Sequence, residues 1–255
     1  MLFQPSHMSL SSHAVGSLLG CACVEPVSEL SRPARRTYSD KKDHAIRLSE
    51  RCVLITGGAG FIGSNLADSL LMRGCSVICY DNLAPYYSGK EANFAANLRN
   101  PLYRFINSDI LDGASLRESA EEAEMIFHLA AQPGVRYSLE NSQAVMRVNV
   151  EGTASVLEAA RREDVTRVVF ASSSSVYGSP NKLPVLENDP TNPVSPYGAS
   201  KLAAEQVCRT YSALYGMRVV VLRYFTVYGP RQRPDMAVRR FLHELENNRP
   251  ITVFG

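Results

Sequence analysis

The chain has 255 residues, 45% of them apolar, with 27 basic and 25 acidic side chains and a formal net charge of +2. That near balance supplies no long-range field for nucleic acid or for an acidic membrane surface, and no apolar stretch is long enough to span a bilayer. The length suits one large domain, or one domain and part of another. Six cysteines stand at 21, 23, 52, 75, 79 and 208, with no CxxC pair and no histidines at zinc spacing. They read as reduced thiols packed as small hydrophobes in a cytoplasmic protein, with no metal site.

Residues 1–50 are rich in Ser, His, Pro and Arg and have no periodic pattern; residues 1–24 contain no Asp, Glu, Lys or Arg. VGSLLGCACV looks like a short signal core, but the basic segment that precedes one is missing. This stretch reads as a disordered or targeting-like tail. From residue 51 the pattern changes. Residues 52–55 form a short apolar run, followed by TGGAGFIG and a helical stripe of Ile62, Leu66 and Leu70 that Gly74 stops. Residues 75–80 predict a second strand ending at Asp81, and residues 103–106 a third, leading into Asn107-Ser108-Asp109-Ile110. Residues 125–129 are a further apolar run, 141–162 a helix and 167–170 a strand. A second long helix is predicted over 197–215, with Ala203, Val207, Tyr211 and Leu214 on one stripe. Ser195 and Pro196 stand where an N-cap and a first-turn proline belong. Residues 218–222 predict the last strand. Strands that are continuous apolar runs, alternating with helices, predict an α/β fold: a Rossmann-like doubly wound parallel sheet covered on both faces. Such sheets bind ligands beyond the carboxyl ends of their strands.

Thr56-Gly57-Gly58-Ala59-Gly60-Phe61-Ile62-Gly63 lies between a predicted strand and helix. Gly57 suits the tight turn, Gly60 a close backbone approach to a pyrophosphate, and Gly63 close packing of helix on strand. The helix N-terminus offers free N–H groups to phosphates. Asp81 follows at the distance expected of the acid that accepts hydrogen bonds from the ribose hydroxyls. Its charge opposes a 2′-phosphate, so NAD is favoured over NADP. Asp109 and Ile110, at the end of the third strand, are candidate adenine contacts.

Tyr197 and Lys201 are four residues apart on one helix, hence one turn apart on one face. A free phenol with a pKa near ~10 is a poor base at neutral pH, and a lysine ammonium one turn away favours the phenolate. Four serines, 172–175, directly follow the strand run Val168-Val169-Phe170. From the strand end, Ser173 is placed to share a substrate oxygen with Tyr197.

The motifs TGGAGFIG, DNL at 81–83, SDI at 108–110, HLAAQPGVRYSLEN at 128–141, NVEGT at 149–153, ASSSSVYG at 171–178, YGASK at 197–201 and RYFTVYGPRQRPDMA at 223–237 together resemble the extended short-chain dehydrogenase/reductase family, and within it the NAD-dependent nucleotide-sugar epimerases and dehydratases. The resemblance covers residues 52–255. It implies a Rossmann NAD-binding domain over 51–225 and, in 226–255, the start of a small C-terminal domain for a nucleoside diphosphate sugar. Relatives continue beyond the position of Gly255, so that second domain is expected to be incomplete here, and residues 1–50 have no counterpart. Carried over by position, the resemblance places Phe61, Ile62, Asp81, Asn82, Asp109, Ile110, Leu129, Ala130, Ala131, Asn149, Tyr197, Lys201 and Phe225 on cofactor contacts, and Ser173 and Tyr197 on the catalytic pair. Two helices, 141–162 and 197–215, resemble those that pair in dimeric relatives, which implies a homodimer.

Relatives that dehydrate the sugar carry Asp-Glu where this chain has Ser174 and Ser175, and relatives that decarboxylate UDP-glucuronate carry Glu at the position of Ser175. The resemblance is therefore closest to UDP-glucuronate 4-epimerases, in which the positions of Ser174, Ser175, Thr226 and Arg233 surround the sugar carboxylate. A guanidinium with several hydroxyls suits an anionic sugar, and Arg136 and Arg231 are further basic candidates. The implied reaction takes a UDP-sugar through C4 oxidation to a 4-keto sugar and back with inversion, Tyr197 moving the proton of the 4-hydroxyl. The alternatives are a UDP-glucose 4-epimerase, a non-catalytic NAD-binding module, and a net sugar oxidoreductase.

Overall fold

The computed structural model describes residues 51–180 and 182–251; the tail expected over 1–50 lies outside the described residues. Six strands form one sheet: β1 (Cys52–Thr56), β2 (Ser76–Tyr80), β3 (Tyr103–Ile106), β4 (Met125–His128), β5 (Arg167–Ser173) and β6 (Arg218–Tyr224). Their order is β3-β2-β1-β4-β5-β6, and every neighbouring pair is parallel. The order reverses between β1 and β4, which opens a crevice above their carboxyl ends. The apolar runs are buried on both faces, as a parallel sheet requires. Successive side chains of β1 go to opposite cores. Leu54 joins Ile78, Ile126, Val168 and Phe170 on one face, whereas Val53 and Ile55 join Val77 and Cys79 on the other.

Helix α1 (Phe61–Leu71) follows the glycine loop. The helix expected over 141–162 is present as α4 (Ser142–Met146), a π-helical turn (Arg147–Glu151) and α5 (Gly152–Arg162), numbered after α2 (Gly113–Glu121) and α3 (Val135–Glu140). The second long helix, α6 (Pro196–Tyr215), starts as the residues predict: the Ser195 hydroxyl accepts from the Gly198 amide and Pro196 occupies the first turn. α7 (Ala237–Glu246) is the last. Helices α2, α3 and α7 are additions to the sequence reading. α2 buries only Leu116, Ser119 and Ala120, too few apolar positions to stand out as a stripe. Strand β5 also runs three residues past Phe170, because Ala171, Ser172 and Ser173 pair with Leu222, Arg223 and Tyr224 of β6. The four serines are thus split: two end a strand, and Ser174 and Ser175 open a 3₁₀ turn (Ser174–Tyr177).

A buried polar seam crosses the switch point. Thr56 Oγ1 lies 2.7 Å from His128 Nδ1, His128 Nε2 lies 2.9 Å from Thr153 Oγ1, and Thr153 Oγ1 donates to the Asn149 carbonyl at 2.6 Å. Since Thr153 spends its proton on that carbonyl, it accepts from Nε2–H, and Nδ1 accepts from Thr56. His128 is neutral in this arrangement, and burial followed by the charge of Lys201 pushes its pKa down to about 3 from 6.5. Between those values the unfolded chain holds a proton that the folded chain refuses. Stability therefore falls as pH drops through that window, by up to ~1.4 kcal/mol per pH unit. Denaturant midpoints at pH 7, 6 and 5 are expected to fall in turn, and to flatten in His128→Asn; an undiminished slope in the variant would assign the acid sensitivity elsewhere.

Candidate active site

The site is built first on backbone proximity. Gly57 has φ +72°, and a Cβ there would lie 2.6 Å from the Ala130 amide nitrogen; a Cβ on Gly63 would lie 2.3 Å from the Gly57 carbonyl oxygen. Only glycine permits both approaches. Gly60 takes the extended N-cap conformation of α1, whose first-turn amides have no intrahelical partner and face the crevice with the positive end of the helix dipole. Asp81 ends β2 and is 8% exposed. One of its oxygens accepts from the Ala59 amide at 3.1 Å and the other from the Leu83 amide at 2.9 Å. Asp81 therefore ties the glycine loop to β2 and keeps lone pairs for a further donor. Lys90, which the sequence reading passed over, has its Nζ 3.9 Å from the same carboxylate. Asn82 donates to Asp109 at 2.8 Å.

A cavity of about 1320 Å³ runs along the carboxyl ends of the strands. Its walls include the glycine-loop residues Gly57, Gly60, Phe61, Ile62 and Gly63, then Asp81, Asn82, Asp109 and Ile110, and Leu129, Ala130 and Ala131 after β4. Arg136, Ser173, Ser174, Ser175, Tyr197, Lys201, Phe225, Thr226 and Arg233 line it too. A glycine cradle at a helix N-terminus, an acid at the next strand end and a cavity of this size fit a dinucleotide. Asn149 is placed differently. It is 1% exposed and stands behind the wall. Its side chain accepts from the Gln132 amide at 2.8 Å, and donates to the Gln132 carbonyl at 3.2 Å and to Ser200 Oγ at 2.9 Å. The π-helical turn presents Asn149 to that loop, an irregularity often found at functional sites. Arg231 is also elsewhere: it pairs with Asp68 of α1.

Tyr197 stands in the first turn of α6. Burial raises the pKa of its phenol, while the neighbouring Ser173 side chain and the charge of Arg233 pull it down. Ser173 is itself fixed, since its hydroxyl accepts from the Ser175 amide at 3.1 Å and lies 3.1 Å from Ser175 Oγ. Lys201 lines the same cavity as Tyr197. Its amine donates to the Ala171 carbonyl at 2.9 Å, 5.0 Å from the Phe170 ring centroid, and burial pushes its pKa down to about 8. Arg233 is gripped by Asp235 through Nε and Nη2, each at 2.9 Å, and lies 5.2 Å from the Tyr86 ring centroid. Tyr86 packs edge-on against Tyr137 at 5.6 Å. Tyr86 and Asp235 were missed from sequence. Their signals were present, in the Tyr86-Tyr87 pair soon after DNL and in Asp235 two residues after Arg233.

Residues 53–255 match the NAD dependent epimerase/dehydratase family. The chain belongs to that family. Among its relatives, UDP-glucuronate 4-epimerase 3 of Arabidopsis thaliana is 38% identical over 240 residues, covering 88% of this chain and 56% of that protein. The crystal structure of UDP-glucuronic acid 4-epimerase from Bacillus cereus, in complex with UDP-glucuronic acid and NAD, is similar with a TM-score of 0.74 at 37% identity, covering 80% of this chain and 66% of that one. A UDP-glucose 4-epimerase from Thermotoga maritima, with UDP-glucose, gives a TM-score of 0.73 at 34% identity, with coverages of 80% and 66%. The chain thus spans between about half and two thirds of the length of these family members.

The geometry of the family's glycine loop gives a direct test. Gly57→Ala is expected to weaken NAD binding at least tenfold, since it adds roughly 1–3 kcal/mol of backbone strain before any clash. Gly113→Ala, where a Cβ meets nothing within 4 Å, is expected to leave it unchanged. Calorimetric titration with NAD measures both.

Proposed function

We propose that this chain catalyses NAD-dependent 4-epimerisation of a nucleotide sugar, UDP-glucuronate to UDP-galacturonate. The observation that carries the reading is the convergence on one phenol. Tyr197 stands with Ser173 and Arg233, both of which lower the pKa of its phenol, in a cavity that the glycine loop also lines. When bound, NAD supplies a reversible hydride acceptor, and Gly57, Gly60, the first turn of α1 and Asp81 are the groups that hold it. Tyr197 takes the proton of the sugar 4-hydroxyl and later returns it. Ser173 shares that oxygen and steadies the charge that develops on it. Ser174, Ser175 and Thr226 offer hydroxyls, and Arg233 a cation, to a sugar carboxylate. Arg136 lines the same cavity.

On this reading residues 51–225 are the NAD-binding domain, and 226–255 begin the part that holds the UDP-sugar, since Thr226 and Arg233 reach the cavity from beyond β6. A UDP-glucose 4-epimerase is the second reading, and one observation favours it. Asp235 already neutralises Arg233, which lessens the pull on an anionic sugar. We also infer a homodimer, joined across α4–α5 and α6, whose surroundings expose Leu139, Met146, Val194 and Leu214; light scattering showing a monomer would refute it. Among the described residues, Cys52, Cys79 and Cys208 are free thiols, which supports a cytoplasmic setting.

The function is tested by NMR of the purified chain with NAD and UDP-glucuronate or UDP-glucose in parallel. Conversion of the glucuronate to its galacto epimer is expected; conversion of glucose alone selects the second reading. Tyr197→Phe is expected to lower turnover by about 10²–10⁴-fold while NAD binding is kept. Loss of both would point to a misfolded variant, and unchanged turnover would remove Tyr197 from the mechanism.

A further inference from the structure

Tyr197, Lys201 and Glu205 follow one another at one-turn intervals along α6. The first two reach the cavity; Glu205 does not line it and is 1% exposed. Its carboxylate accepts three hydrogen bonds, from Ser172 Oγ at 2.5 Å, Arg223 Nε at 2.9 Å and Arg223 Nη2 at 2.7 Å. The remaining amino group of Arg223, Nη1, donates to the Tyr177 hydroxyl at 2.9 Å and to the Glu187 carbonyl at 3.1 Å. These partners lie where the reacting groups are mounted. Ser172 precedes Ser173 in β5. Tyr177 closes the 3₁₀ turn that carries Ser174 and Ser175, and its ring faces that of Phe225 at 6.5 Å. Arg223 pairs with Ser172 in the sheet register and stands three residues before Thr226.

Stability alone does not account for such a knot. Taking a carboxylate and a guanidinium out of water costs several kcal/mol per ion, and a buried pair can often be replaced by apolar residues of similar volume at no loss of stability. A pair with directed hydrogen bonds does what an apolar pair cannot: it fixes the mutual position of its partners. We propose that the Glu205–Arg223 pair is a positioning device, which holds the serine run at the end of β5, through Ser172 and Tyr177, in register with Tyr197 on α6. It rests on the reading of Tyr197 and Ser173 as the reacting pair.

The test uses the full chain with ¹³C-labelled tyrosine, the Tyr197 resonance being assigned from Tyr197→Phe. In Glu205→Gln, and in the double variant Glu205→Met with Arg223→Met, the Tyr197 resonance is expected to move as the serine run shifts away from it. With the sugar that the wild type turns over, kcat is expected to fall about a hundredfold, the scale of a ~1 Å misplacement, with KM within about threefold. The double variant is expected to regain the thermal midpoint of the wild type without regaining either property. A double variant with a native Tyr197 resonance and native kcat overturns the proposal and leaves the pair a structural one. Ser172→Ala keeps the ion pair and cuts only the tie to β5; it carries the same test should the charged variants fail to fold, and an unmoved Tyr197 resonance there is equally fatal. If the wild type turns over neither sugar, the proposed function falls, while the resonance still decides the positioning.

Discussion

The close approach of the β1–α1 loop to the chain leaving β4 is the constraint on which the rest of the site depends. With no side chain at Gly57, the loop lies against the Ala130 backbone, and with none at Gly63, α1 lies against the loop. The first turn of α1 is thereby brought to the point where strand order reverses, and its unpaired amides open into the crevice. Asp81 extends the same contact sideways, since its carboxylate accepts from Ala59 inside the loop. Loop, helix end and acid are one unit, and displacing any of them displaces the surface offered to a dinucleotide.

A second unit joins that surface to the start of α6. Thr56, His128, Thr153, Asn149 and Ser200 form a buried chain of hydrogen bonds, and Ser200 Oγ continues it to the Tyr197 carbonyl at 2.7 Å. Each member is at most 1% exposed, so each unmade bond would carry its full desolvation cost. The arrangement is in effect all or none, and it sets the strand ends and the start of α6 at a fixed separation. The cations around the site are matched in the same way. Lys201 has the Ala171 carbonyl, Arg233 has Asp235, and Arg223 has Glu205. The phenol therefore meets an environment set by particular partners, among them the charge of Arg233, which lowers its pKa.

Most of the framework was legible in the residues. Strand cores, the glycine loop with its acid, and the Tyr197–Lys201 spacing are local patterns, and local patterns are what a sequence displays. What escaped notice had weak local signals. α2 buries little apolar surface, Tyr86 acts through a partner distant in the chain, Tyr137, and Asp235 matters only because its neighbour Arg233 stands in the cavity wall. Arg231 and Arg233 look alike in sequence, two positions apart. One pairs with Asp68 on α1 and the other enters the cavity.

The sequence by itself determined the fold class, the glycine loop with its acid, and the one-turn spacing of Tyr197 and Lys201, because each follows from spacing, conformational allowance and side-chain chemistry along the chain. Only the tertiary structure decided how the charges are paired. Lys201 turns to a backbone carbonyl, Asn149 works from behind the wall, and Glu205 is tied to Ser172 and Arg223. Those outcomes depend on which atoms meet in a low-dielectric interior, where a few ångströms and one hydrogen bond outweigh any preference that a residue carries alone.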